Sequence, residues 1–272
     1  VKQGVRNKNL SLGIGMSYLS LVVLVPLSAI VLKSLSIDWH TFWGAIGTSR
    51  VLAACKLTFG AAFLAALANT FSGLLLAWVL SRYRFPGRRL LDALVDLPFA
   101  LPTAVAGIAL AGLYASDGWI GRLLQPLGIQ VAYTRLGVCV ALLFIGLPFV
   151  VRAVQPVIED LDHSVEESAA CLGATRGYTF RRVILPALLP ALASGFAMAF
   201  ARGIGEYGSV IFIAGNIPKV SEIVPLLIVA RLEQFDYAGA TALAVTMLTV
   251  SFLLLLAINA LQDWNRRRYV RN

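Results

Sequence analysis

Six apolar stretches divide this 272-residue chain, separated by shorter runs that carry most of its charge. They cover residues 12–32, 51–80, 93–115, 136–157, 187–214 and 238–261. A helix rises about 1.5 Å per residue and the hydrocarbon layer is about 30 Å thick, so about 20 apolar residues span it. The second and fifth stretches exceed that need, which predicts that part of each leaves the bilayer or breaks within it. None alternates apolar and polar residues as a barrel strand does, so the pattern predicts an all-α integral membrane protein with six transmembrane helices.

Two stretches carry residues that disturb a plain lipid-spanning helix. Pro98, Pro102 and Gly107 interrupt the third, and broken backbone at that depth is tolerated only against protein or a water-filled cavity. The third helix is therefore either a pathway wall or a helix kinked for packing. In the fifth, Arg202 and Glu206 stand four residues apart and share one helical face. Ionisable groups there usually face the bundle interior and pair. Counting from Pro186 places Arg202 about 24 Å along the helix, in the outer half of the membrane, with Glu206 near the outer boundary. Gly203, Gly205 and Gly208 weaken the helix at this level, so the apolar run beyond them either turns back or extends outward as a gate. A structural ion pair or gate element, and a direct influence on a passing anion, are both open.

Composition agrees with a membrane protein: 58% of the residues are hydrophobic, 14% are charged and the mean hydropathy is +0.79. The net charge of +9 has a particular distribution. The amino-terminal arm (Lys2, Arg6, Lys8), the second and fourth connectors and the tail (Arg266, Arg267, Arg268, Arg271) hold 15 of the 23 cations. The alternate connectors hold six, and Lys56 and Arg202 fall inside apolar stretches. Cations collect on the cytoplasmic side, so both termini are expected there. That bias accounts for the net charge and leaves little support for a nucleic-acid partner. The first apolar stretch is longer than a typical signal-peptide core and reads as a retained span. Cys55, Cys139 and Cys171 suggest no disulfide or metal site, His40 and His163 are isolated, and no nucleophile and base are arranged for chemistry. No Walker-type phosphate loop is present, so any ATP must be hydrolysed by another chain.

One connector carries a spaced motif. Glu167-Ser168-Ala169 is followed by three residues, Gly173, nine more, and Val183-Ile184-Leu185-Pro186. Glu166 and Glu167 suit the early turns of a short helix. Small Ser168, Ala169 and Ala170 allow close approach, Gly173, next to Ala174, permits a turn or a close backbone contact, and Pro186 suits the first turn of the next helix. The spacing resembles the cytoplasmic Glu-Ala-Ala loop of ATP-binding-cassette importer permeases, with Ser168 and Val183 as conservative departures. Residues 81–89, the run from Asp96 to Gly107 that contains Thr103, and 202–208, 211–216 and 231–237 resemble the sulfate and thiosulfate permeases, in particular their T (or U) type subunit.

That resemblance implies a type I importer permease: an arm at 1–11, a transmembrane domain at 12–262 with a coupling loop at about 159–186, and a basic cytoplasmic tail at 263–272. It implies a non-catalytic subunit of the bacterial inner membrane forming half of a translocation pathway. Its implied partners are a W-type paralogous permease, two ATPase subunits carrying ATP and Mg, and an extracytoplasmic sulfate- or thiosulfate-binding protein. Glu166, Glu167, Ser168, Ala169, Ala170, Gly173, Ala174, Leu185 and Pro186 are the implied coupling residues. Pro98, Pro102, Thr103, Gly107, Arg202, Glu206 and Gly208 are the pathway or gate candidates. A molybdate or tungstate permease, built as a homodimer, is the nearest alternative. An ion-coupled secondary transporter is less favoured because Glu206 is the only strong intramembrane carboxylate.

Overall fold

The computed structural model of the chain describes the backbone of residues 12–269 and, except at His163, the side chains of residues 12–260. Helix is the only regular structure among them. Six helical segments are long and apolar enough to cross a membrane: Leu12–Leu35 (α1), Ser49–Arg82 (α3), Thr103–Leu127, Arg135–Asp160 (α8), Arg176–Ile204 (α10) and Tyr237–Ala260. Shorter helices occupy the connectors: Trp39–Ile46 (α2), Arg88–Val95 (α4), Leu97–Ala100 (α5), His163–Cys171 (α9), Gly208–Ala214 (α11) and Val224–Glu233 (α12). The third crossing consists of Thr103–Tyr114 (α6) and Trp119–Leu124 (α7), and the last continues as Tyr237–Tyr269 (α13).

Two spans differ from their sequence-based limits. The third begins at Thr103 rather than near Ala93. Leu101 is extended (φ −85°, ψ 136°), as a residue before proline prefers, and Pro102 offers no N–H. Gly107 takes no part in that break; it lies inside α6, where a Cβ would overlap the Ser209 backbone. The fifth span runs from Arg176 to Ile204 rather than from 187 to 214. Pro186 stands in the first turn of the α-helical stretch Leu185–Ile204, as expected, but that stretch continues directly from the turn before it. The turn before it, Phe180–Ile184, is π-helical, and the Leu185 N–H reaches back to the Phe180 carbonyl. Ser20–Leu24 makes the same turn ahead of Pro26. A proline ring crowds the carbonyl four residues before it, and the wider π turn displaces that carbonyl without ending the helix.

The chain forms two compact units. One comprises residues up to Thr48 with Leu227–Val250. In it, α1 buries no residue, leaving an apolar surface that suits lipid. Asp38 caps α2 by accepting from the His40 and Thr41 N–H groups. Arg231 donates to the Ala45 carbonyl at 3.0 Å and pairs with Asp236 at 3.3 Å, fastening the end of α2 to the turn before α13.

The other unit, Ser49–Leu226 with residues from Ser251, has its core where α3, α8 and α10 pack together. The inward face of α3 is mainly small: Ala54, Ala61, Ala62, Ala65, Ala66, Gly73 and Ala77 are buried, and with Val51, Thr58, Asn69 and Leu80 they make one continuous helical face. Apolar surface gains little by leaving lipid for protein, so helices in a bilayer gain most from close backbone approach. A Cβ at Gly73 would stand 2.7 Å from Val150, and one at Gly195 would stand 2.9 Å from the Val150 Cα. Val150 on α8 is the knob between these two grooves.

Candidate functional site

The Glu-Ser-Ala motif lies on α9, which starts because Asp162 accepts the Ser164 N–H at 2.9 Å. It stops because Gly173 takes a left-handed conformation (φ 82°), which an L side chain rarely adopts, while its N–H returns to the Ala170 carbonyl. No atom lies within 4 Å of a Cβ built there, so Gly173 serves the turn and not a close contact inside the chain. Thr175 then caps the start of α10.

Burial divides α9 into two faces. Glu166 and Ala169 are half-buried, whereas Glu167, Ser168, Ala170, Cys171, Leu172 and Gly173 are exposed. Leu172 is 88% exposed at the end of this face. On the inner face, Glu166 pairs with Arg82 at 2.7 Å. The Arg82 guanidinium lies over the Trp78 ring, 5.4 Å from its centroid, and Trp78 meets Phe180 edge to face at 5.7 Å. One cluster therefore joins α9 to the end of α3 and to the π turn of α10. Beside it lies a hollow of about 370 Å³ lined by Trp78, Glu167, Ala170, Ala174 and Phe180 among others. Leu185 and Pro186 are half-buried farther along α10 and lie outside this exposed surface.

The pathway candidates separate into two places. Thr103, Gly107, Gly208, Arg202 and Glu206 come together. Helix α11 packs against α6, and a Cβ at Gly208 would overlap the Thr103 hydroxyl. Arg202 and Glu206 form the expected pair at 2.6 Å. Glu206 is only 1% exposed and α11 follows it, so its carboxylate is enclosed by the helices around it. Its other carboxylate oxygen accepts the Ser209 N–H at 2.8 Å and the Ser209 hydroxyl at 2.9 Å. The helix breaks at Gly205, which lets Glu206 cap α11 while still meeting Arg202 one turn back. The apolar run beyond the glycines does not extend α10 but leaves it at Gly205 as a separate helix. It wedges onto α6 and α8, and the Ile213 carbonyl accepts the Tyr133 N–H at 2.6 Å.

Pro98 stands apart, beside a second charge cluster. Arg152 on α8 binds Asp96 through Nε (2.8 Å) and Nη2 (2.7 Å), and reaches Asp92 and Gln155 through Nη1 at 2.7 and 2.6 Å. A further pair joins half-buried Arg50 to buried Glu222 in a two-pronged bond at 2.8 and 2.6 Å. Sequence reasoning missed both. The ion-pair partners are separated by 56 or more positions.

With six spans, a capped short helix turned outward and no strand among the described residues, the arrangement is that of a transport protein's membrane component. Residues 69–271 match the family described as binding-protein-dependent transport system inner membrane component, and the chain belongs to that family. It is thus a multi-pass inner-membrane transport subunit, and the family's role is non-catalytic. Among relatives, it is 51% identical over 96% of its length to 94% of the sulfate transport system permease protein CysT of Salmonella typhimurium. It is 50% identical to the Synechocystis protein of the same name, covering 92% of this chain and 87% of that one. Its fold matches a bacterial ABC transporter involved in import of the acidic polysaccharide alginate, with a TM-score of 0.77 and 17% identity over 96% of this chain and 97% of that one. A second structure, of an alginate ABC transporter in complex with an alginate pentasaccharide-bound periplasmic protein, gives 0.76 and 20% over 95% of each chain. These likenesses support the type I importer permease architecture.

Proposed function

We propose that this chain is the permease subunit of an ATP-driven sulfate or thiosulfate importer, where it forms half of the translocation pathway beside a W-type paralogous permease. The 50–51% identity to sulfate permeases across more than nine-tenths of the chain supports the substrate class. Two partner ATPases would carry ATP and Mg. An extracytoplasmic binding protein would select the anion, in keeping with the dependence stated in the family's description. The observation that carries the mechanism is the exposed face of α9 tied to α3 and α10 through Arg82, Glu166, Trp78 and Phe180. ATPase closure would displace α9, and that cluster would pass the movement to two spanning helices. A partner can shift the permease between inward- and outward-facing states only if it binds them differently.

This reading places the arm at 1–11, the tail at 263–272 and α9 in the cytoplasm, following the cation bias. Arm cations Lys2, Arg6 and Lys8 and the tail's Arg271 lie outside the described residues. Single cysteines at Ser116 and Ser164, in a chain lacking its native cysteines, should react with an impermeant maleimide from opposite faces. Reaction of both from outside would overturn the topology. For the activity, the chain co-expressed with its neighbouring transport subunits should support ATP-dependent uptake of labelled sulfate into proteoliposomes. Uptake of molybdate without sulfate would overturn the substrate, and full activity from this permease alone would overturn the heterodimer.

A further inference from the structure

Three cations that sequence analysis left without a role converge on one hollow. Lys56 projects from α3, Arg135 stands at the first turn of α8, and Lys219 belongs to the turn before α12. Together with Ala53, Leu57, Gly60, Cys139 and a few neighbours they line a cavity of about 440 Å³. No carboxylate lines it, and none lies within ion-pair distance of these three cations among the described residues. Three like charges around an open hollow repel one another unless an anion arrives. An ionisable side chain within a spanning helix, as Lys56 is, commonly marks an ion pathway.

The turn that brings Lys219 there is firmly built. The Ile217 carbonyl accepts N–H groups from Val220, Ser221 and Glu222 at 3.0–3.1 Å. Lys219 itself takes a left-handed conformation (φ 63°), costly for a residue with a side chain. Arg135 grips the same turn, its Nε donating to the Val220 carbonyl at 2.9 Å and its Nη2 to the Lys219 carbonyl at 3.2 Å. That leaves the Nη1 donors of Arg135 for a ligand. Glu222, three residues past Lys219, would oppose an anion, but Arg50 neutralises it and it is absent from the lining.

We propose that Lys56, Arg135 and Lys219 form a receiving site for a small divalent oxyanion of the sulfate class on the permease itself. The inference rests on the transport reading above and adds a site to it. Lys56 and Lys219 are exposed, so the site is one that an anion enters and leaves, not one that traps it. In the topology argued above, the loops that precede α8 and α12 face outside, where a binding protein would release its cargo.

The test is uptake by the whole importer reconstituted with its binding protein, comparing wild type with Lys56→Gln, Lys219→Gln and the double variant. Each lysine is solvent-facing and bonded to nothing that holds the fold, so the variants should assemble. Uptake by the double variant should fall about tenfold, the scale of a lost charge-assisted hydrogen bond, while the affinity of the binding protein for the complex is retained. Unchanged uptake overturns the site. Weakened docking, with uptake restored by excess binding protein, assigns the cations to acidic groups on that protein and also overturns it. A loss seen only in vesicles containing anionic lipid assigns them to headgroup phosphates and overturns it as well. If the wild-type importer moves no sulfate, the transport reading itself fails, and the site falls with it.

Discussion

The α9 helix and the turn at Glu206 both carry a charged motif, yet the structure uses them in opposite ways. At Glu206 every strong group is turned inward. One oxygen meets Arg202 and the other meets the N–H and hydroxyl of Ser209, and the carboxylate is almost fully covered. On α9 only Glu166 is tied down, while Glu167, Ser168, Cys171 and Leu172 face outward. The first set of partners is closed; in the proposed function the second, exposed set is the surface on which the ATPase would seat. The same residue type, glutamate beside small residues, serves both, and only the surroundings separate them.

Breaking the inner region should have the larger effect. Arg202→Ala leaves the Glu206 carboxylate, only 1% exposed, without its counter-charge, and should lower stability by about 3–5 kcal/mol, the range for breaking a buried pair. Thermal unfolding in detergent checks this. Glu206→Ala also removes the cap of α11 but should cost less, because the Arg202 it leaves behind is 35% exposed and water can solvate it. The double variant should be milder than Arg202→Ala alone. Strictly additive losses would contradict pairing. Gly208→Val should come next, at about 1–3 kcal/mol, since the added side chain meets Thr103 and α6 must shift. The same measurement reads it.

In the outer region the effects should move from stability to association. Arg82→Ala should cost only about 1 kcal/mol, because Glu166 is partly solvated. It should also weaken the dependence of uptake on ATP hydrolysis, visible as more ATP consumed per anion moved. Leu172→Ala should leave the melting temperature unchanged and reduce ATPase affinity, measured by pull-down from detergent. A stability loss there equal to that of Glu206→Ala would erase the distinction between the two regions.

Local pattern revealed much of this, and long-range partnership very little. Apolar run length announced six spans, and an i, i+4 spacing announced the Arg202–Glu206 pair, because both are properties of a single helix. Gly173 was legible as either a turn or a close contact, and its positive φ makes it a turn. The limits of the third and fifth spans were not. Apolar residues surround Asp96 and resume at Val210, while the breaks depend on Leu101 being forced extended by Pro102 and on Glu206 capping a new helix. The π turn that carries α10 through Pro186 has no composition of its own. Arg152 with Asp92 and Asp96, Arg50 with Glu222, and the convergence of Lys56, Arg135 and Lys219 all need the folded chain to bring distant connectors together.

If the outer face of α9 is where the ATPase seats, native Cys171 on that face reports on it directly. With Cys55 and Cys139 replaced by alanine, the permease assembled with its paralogue should label rapidly at Cys171 with a maleimide. Addition of the partner ATPase at saturating concentration should slow that labelling at least about tenfold, as burial of a thiolate from the reagent requires. Undiminished labelling in a complex shown to contain the ATPase would contradict the account.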